Sequence, residues 1–258
     1  MRANWQTMRD EIIAVFPDPP GIQDDKEAYL KQVDDIYVTD AYHSLSIEGY
    51  RVSEELIERV RSGDWNPDQN RADKENRDAM AARGYWLAFN EVKKSVERVL
   101  NDENSGDVAD LYHRDWYRAL FGPSVEAGIL QPGDLAGYRN DQVYIRNSKH
   151  VPVKREAILD CMPALFDRIR EETHPAVRTV LGHWMFVYIH PYMDGNGRIG
   201  RFLMNVMLAS GGYPWTVIPV ERRKEYMDAL ESASVGGSIK PFANFLGSLV
   251  VDATLKVS

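Results

Sequence analysis

The strongest constraint on the fold is the spacing of apolar residues, which recur every three or four positions along most of the chain. Tyr29, Leu30, Val33, Ile36, Tyr37 and Ala41 follow this period, as do Tyr85, Ala88, Val92, Val96 and Val99. Such a repeat lays apolar side chains along one face of a helix. The same pattern extends over roughly 107–121, 156–171, 175–190, 198–210, 222–233 and 239–255. A shorter helix is predicted over 53–62, opened by Ser53 as N-cap and stopped by Gly63. Each stripe needs a neighbour to bury it, so the chain reads as mainly α, a compact helical bundle.

Two stretches interrupt the helical period. Gly63 to Asp78 is polar and contains Asn66-Pro67-Asp68-Gln69-Asn70, the composition of a loop between helices. From Gln142 to Val153 the pattern changes to alternation, with Val143 and Ile145 before a turn at Asn147-Ser148-Lys149 and Val151 and Val153 after it. That order predicts one β-hairpin. A lone hairpin on a helical body is an accessory to a site rather than part of a core.

Charge narrows the function. Lys and Arg number 31 against 39 Asp and Glu, a net charge of −8. An acidic chain is no bulk binder of nucleic acid or of anionic membrane, although a local cationic pocket remains open. Cys161 is the single cysteine and cannot form an internal disulfide framework. Asp10 and Glu11 precede a short apolar patch, which is not the order of a signal peptide, and no run reaches 18 apolar residues. The expectation is a soluble, cytoplasmic protein with no nucleic-acid or membrane partner.

The densest chemistry lies in His190-Pro191-Tyr192-Met193-Asp194-Gly195-Asn196-Gly197-Arg198-Ile199-Gly200-Arg201. Glycines flanking Asn196, followed by a helix start near Arg198, would aim free N–H groups and a helix dipole at one point, where an anion fits. Arg198 and Arg201, three apart, could grip two phosphates of one chain. Asp194 would repel a bare phosphate, and makes sense if Mg²⁺ lies between them. His190 could act as general base. A plain helix cap and turn would need neither the His, the Asp nor the arginine pair. The run also matches Gly-x-Gly-x-x-Gly of dinucleotide sites, with Glu221 about 20 residues past Gly200. Pro191 and Asp194 break the strand-to-glycine junction that this reading needs, and no alternating strand–helix series follows.

The run from His190 to Arg201 resembles the signature of Fic-domain proteins, with Tyr192 standing where that family usually has Phe. The resemblance implies a Fic-like helical core with the hairpin as a flap, and transfer of AMP from ATP to a Ser, Thr or Tyr hydroxyl of a protein, with Mg²⁺ as cofactor. It implies His190 as the base and Asp194 as the metal ligand. Gly195, Asn196 and Gly197 would form the anion nest, Arg198 would bind the α/β end of the triphosphate, and Arg201 would meet the γ-phosphate. Gly137-Tyr138-Arg139 leads into the flap residues Val143, Tyr144, Ile145 and Arg146, whose edge would pair with a target segment. Tyr226 and Leu230 resemble the adenine-lining helix, and Ser234 sits where relatives often carry Asn.

Ser44-Leu45-Ser46-Ile47-Glu48-Gly49 resembles the family's inhibitory motif, Ser or Thr, three residues, Glu and Gly. Ser44 and Glu48 are four apart on one helix face. The resemblance implies that Glu48 forms a bidentate pair with Arg201 and takes the place of the γ-phosphate. It divides the chain into a helical extension at 1–39, an inhibitory region at 40–66 and a Fic-like core at 67–255, with no C-terminal winged helix. The extension would pack near the site or carry an oligomer contact, a homodimer among the options, and the protein itself is one candidate target. Removal of AMP, transfer of another nucleoside monophosphate, and a non-catalytic ATP-binding regulator stay open. A zinc hydrolase using some of the six histidines lacks any His-x-x-x-His pair.

Overall fold

The computed structural model describes residues 2–64 and 77–257. The loop expected between Gly63 and Asp78 lies mostly in 65–76, outside the described residues. The helices in chain order are α1 (Arg2–Ile13), α2 (Lys26–Ile47), α3 (Glu54–Ser62), α4 (Arg77–Leu100), α5 (Ser105–Glu126), α6 (Arg155–Glu171), α7 (Pro175–Ile189), α8 (Asn196–Ala209), α9 (Arg223–Ser234) and α10 (Lys240–Val257). Short 3₁₀ turns cover Pro132–Leu135 and Val220–Arg222.

Local chemistry accounts for several boundaries. Ser53 Oγ accepts from Leu56 N at 3.2 Å to open α3, and Gly63, at φ 81°, closes it in the left-handed region. Asp25 caps α2 by accepting from Ala28 N at 2.9 Å. α2 is one continuous helix, so the 39/40 division expected from the sequence falls inside it.

α7 and α8 form the centre. α8 packs on α2, α4 and α5, while α7 faces α1, α6, α9 and α10. α8 is buried almost from end to end, Arg198 and Arg201 included. α4 and α5 form a close hairpin in which Gly84 is required, since a Cβ there would collide with the Leu120 carbonyl. Trp116 Nε1 donates to Ser95 Oγ across the same interface at 3.1 Å. Among the described residues no helix is long and apolar enough to cross a membrane.

The hairpin expected over 142–153 is not formed, and the described residues contain no strand. The segment is an extended loop turning at Asn147, φ 62°. Val143 and Ile145 are half-buried while Tyr144 and Arg146 are exposed, so the alternation is real but has no ladder behind it. Side chains bond the backbone groups that a ladder would use. Arg139 donates to the carbonyls of Asp141 and Val153, and Gln142 Nε2 donates to those of Val143 and Pro152. Pro152 has no N–H to offer a partner strand.

Candidate active site

A cleft of about 450 Å³ opens between α7, α9 and the 145–150 loop, with the start of α8 at its base. His190 lines it from the C-terminal end of α7. The residue sits at φ 54°, ψ 61°, a left-handed conformation uncommon for a non-glycine side chain. Three contacts hold it there. Its N–H donates to Phe186 O at 3.0 Å, its carbonyl accepts from Arg139 Nε at 2.8 Å, and Nδ1 lies 3.2 Å from Val187 O. A carbonyl only accepts, so Nδ1 carries the proton and Nε2 keeps its lone pair. Burial pushes the imidazole below its ordinary pKa, outweighing the opposing Val187 hydrogen bond and favouring the neutral form.

The loop after His190 is shaped by Asn196. Its Oδ1 accepts from Tyr192 N at 2.9 Å and its Nδ2 donates to Tyr192 O at 2.8 Å. Both polar atoms of that side chain are bonded to Tyr192, and its backbone N–H stays available for a ligand. Gly195, at φ 82°, starts α8 against Phe121, where a Cβ would come within 2.7 Å of the ring. The first intrahelical bond runs from Ile199 N to Gly195 O, so the N–H groups of Asn196, Gly197 and Arg198 precede the ladder. Asp194 Oδ1 accepts from Gly195 N at 2.6 Å, and Oδ2 lies 3.4 Å from Arg198 Nη2.

Glu48 occupies this helix start. A Cβ on Gly197 would collide with Glu48 Oε1, which accepts from Arg201 Nη2 at 2.7 Å. The pair uses one carboxylate oxygen rather than the two expected. Arg201 also donates to Ser44, Nε to the hydroxyl at 2.9 Å and Nη2 to the carbonyl at 3.0 Å, while among the described residues Nη1 makes no hydrogen bond. Burial alone would raise the Glu48 pKa, but Arg201 and Arg198 more than offset it and hold the carboxyl below its ordinary value. Burial works against the charge on Arg201, and Glu48 reverses this to raise its pKa.

Of the remaining residues singled out in the sequence, Tyr226, Leu230, Ser234, Ile145 and Arg146 line the cleft with His190, Glu48, Gly197 and Arg201. Tyr226 OH shares a 2.7 Å hydrogen bond with His183 Nε2, and Ser234 Oγ accepts from Trp184 Nε1 at 3.0 Å. Val143, Tyr144, Ser44, Asp194, Gly195, Asn196 and Arg198 do not line it.

Several residues carry contacts that the sequence did not assign to them. Arg139 staples the loop to His190, and its N–H donates to Pro191 O at 2.8 Å. Glu231 accepts from Lys149 N at 2.8 Å and from Ser148 Oγ. Arg223 Nε donates to Ile47 O at 2.8 Å, tying α9 to the end of α2. Tyr50 stacks on Arg198. The one usable signal was position: Tyr50 follows the Glu48-Gly49 pair, and Arg139 leads the alternating segment. Nothing in the spacing marks Glu231 or Arg223.

Residues 112–208, from within α5 to near the end of α8, match the Fic/DOC family. That span includes His190, the glycine turn and both arginines, but not Ser44 or Glu48. Among curated proteins, the chain is 29% identical over 225 residues to the protein adenylyltransferase Fic of Drosophila willistoni, covering 86% of this chain and 40% of that protein. It is 32% identical over 123 residues to the protein adenylyltransferase fic-1 of Caenorhabditis briggsae, covering 46% and 24%. The chain thus spans about two fifths of the length of the Drosophila relatives it matches. In structure it is similar to Fic-1 (residues 134–508) from C. elegans, at TM-score 0.72 and 20% identity over 99% of this chain and 71% of that one. A Fic domain containing signaling protein from Bacteroides thetaiotaomicron gives TM-score 0.66 at 18% identity over 98% and 96%. The fold is that of these Fic proteins.

Proposed function

We propose that this chain is a protein adenylyltransferase that moves AMP from ATP to a hydroxyl side chain of a protein, and that Glu48 holds it in check. The observation that carries the reading is the convergence of the His190 imidazole, its Nε2 unprotonated, with an α8 start and Arg201 already occupied by a carboxylate. A carboxylate at a helix N-terminus stands where a phosphate oxygen would bind. The curated relatives, named as adenylyltransferases, support the same chemistry.

In this reading the vacated Glu48 position receives the terminal phosphates, held by Arg201 and the first N–H groups of α8, while Arg198 beneath the helix start binds the α/β end of the triphosphate. The base lies along α9 beside Tyr226, Leu230 and Ser234. His190 Nε2 takes the proton of the incoming hydroxyl as its oxygen bonds to the α-phosphorus and the bond to the β-phosphate oxygen breaks, releasing pyrophosphate. Asp194 fits a magnesium ligand: its side chain is 58% exposed, and one carboxylate beside a phosphate site is a donor set that Mg²⁺ favours. When bound, that ion would neutralise phosphate charge. The extended 142–146 backbone, which has no strand partner among the described residues, supports a role in aligning the target segment. We assign residues 67–255 to the catalytic core and 40–66 to the inhibitory region, and place the reaction in the reducing cytoplasm on the strength of the lone Cys161.

The test is intact mass spectrometry after incubation with ATP and Mg²⁺. Glu48→Gly should raise the AMP adduct on the protein or on added target, and Glu48→Gly with His190→Ala should abolish it. No gain in the Glu48 variant would refute the restraint, and label surviving the His190 change would refute the base.

A further inference from the structure

Arg198 is a buried cation whose donors are mostly unspent. Its side chain is 1% exposed, yet among the described residues it makes one hydrogen bond, the long contact to Asp194, and its Nε has no partner. Two aromatic faces hold it instead. Its guanidinium carbon lies 5.0 Å from the ring centroid of Tyr50 and 5.0 Å from that of Phe121. Arg77 sits over the Tyr50 ring as well, at 5.3 Å. Ring faces attract a guanidinium without consuming its N–H groups, so such stacking fixes its orientation and leaves its donors for an anion.

Tyr50 belongs to the same turn as Glu48. The turn is a left-handed helix stop at Gly49, φ 87°, fixed by Tyr50 N donating to Leu45 O at 3.1 Å. One short segment therefore presents a carboxylate to Arg201 and a ring to Arg198.

We propose that Tyr50 is a positioning residue for phosphate binding, so that the 48–50 turn both blocks the site and builds it. This rests on the reading of Arg198 as a phosphate ligand. Activation then requires the Glu48 carboxylate to leave while Tyr50, and the end of α2 that carries it, stay docked. Preorganised donors bind more tightly than donors that must be ordered on arrival.

The experiment is calorimetric titration of α,β-methylene-ATP with Mg²⁺, which cannot transfer AMP, into Glu48→Gly, Glu48→Gly/Tyr50→Leu and Glu48→Gly/Tyr50→Phe. The Leu variant should bind about tenfold more weakly, the scale of one desolvated cation–ring contact, and Phe should recover most of that loss. Adenosine, which has no phosphate, should bind the three proteins alike, a result that general damage to the cleft would not produce. Equal or tighter binding of the analogue by the Leu variant, or an equal loss for adenosine, overturns the proposal while leaving the site reading intact. Failure of Glu48→Gly itself to bind the analogue overturns the site reading, and the proposal with it.

Discussion

Replacing Glu48 with Gln removes a charge and little volume, and its effect on stability can be worked from the two burials. Arg201 is 4% exposed and keeps its Ser44 contacts in the variant, whereas the Glu48 side chain is 26% exposed. Exposed ion pairs contribute about 0–1 kcal/mol. Breaking a buried pair costs about 3–5 kcal/mol, because one charge is stranded. With one partner buried and the other a quarter exposed, the expected loss is about 2 kcal/mol, or roughly 4–8 °C in Tm for a chain of this size. The sign with pH follows from the depressed Glu48 pKa. The native state favours the ionised carboxyl, so the contribution is fully present above the ordinary value of 4.5 and is lost as pH falls through the lower folded value. Urea unfolding of parent and variant should therefore differ near neutral pH and converge in acid. Pyrophosphate should offset the loss selectively in the variant, where no carboxylate competes for Arg201. A variant as stable as its parent at neutral pH would refute the argument, as would a deficit unchanged in acid.

Two further predictions rest on single groups. Among the described residues the buried Tyr192 hydroxyl has no hydrogen-bond partner while its ring stacks on Tyr117 at 3.7 Å, so Tyr192→Phe should raise stability by about 1 kcal/mol in a thermal melt; a lower Tm would show that the hydroxyl is satisfied. His190 is held below its ordinary pKa, chiefly by burial, so in the Glu48→Gly background kcat/KM should fall in acid with a midpoint below the ordinary 6.5; a fall centred above 6.5 would contradict this.

Much of the fold was legible because its signals are local. The Ser53 cap and the Gly63 stop lie within one short helix and act through their own backbone neighbours. The cluster at 190–201 was legible for the same reason, since the His190 Nδ1 contact with the Val187 carbonyl, the Asn196 clasp on Tyr192 and the Gly195 conformation are contacts within a few residues. The 142–153 segment shows where that reasoning stops. Alternation records which side chains face inward, but a ladder also needs free N–H and C=O groups. Here Arg139, Gln142 and Glu231 take several of them.

By itself, then, the chain determined a helical body, the Ser53 and Gly63 ends of one helix, and one compact run bearing a histidine, a carboxylate, a helix start and two arginines. The Glu48–Arg201 pair was implied by the family resemblance, but only the tertiary structure decided that it closes across 153 positions through a single oxygen, and that Tyr50 comes to lie over Arg198. Periodicity acts over one or two helical turns and fixes which face is buried. Which buried faces meet depends on packing α2 against α8, and that depends on the close fit of every helix around them.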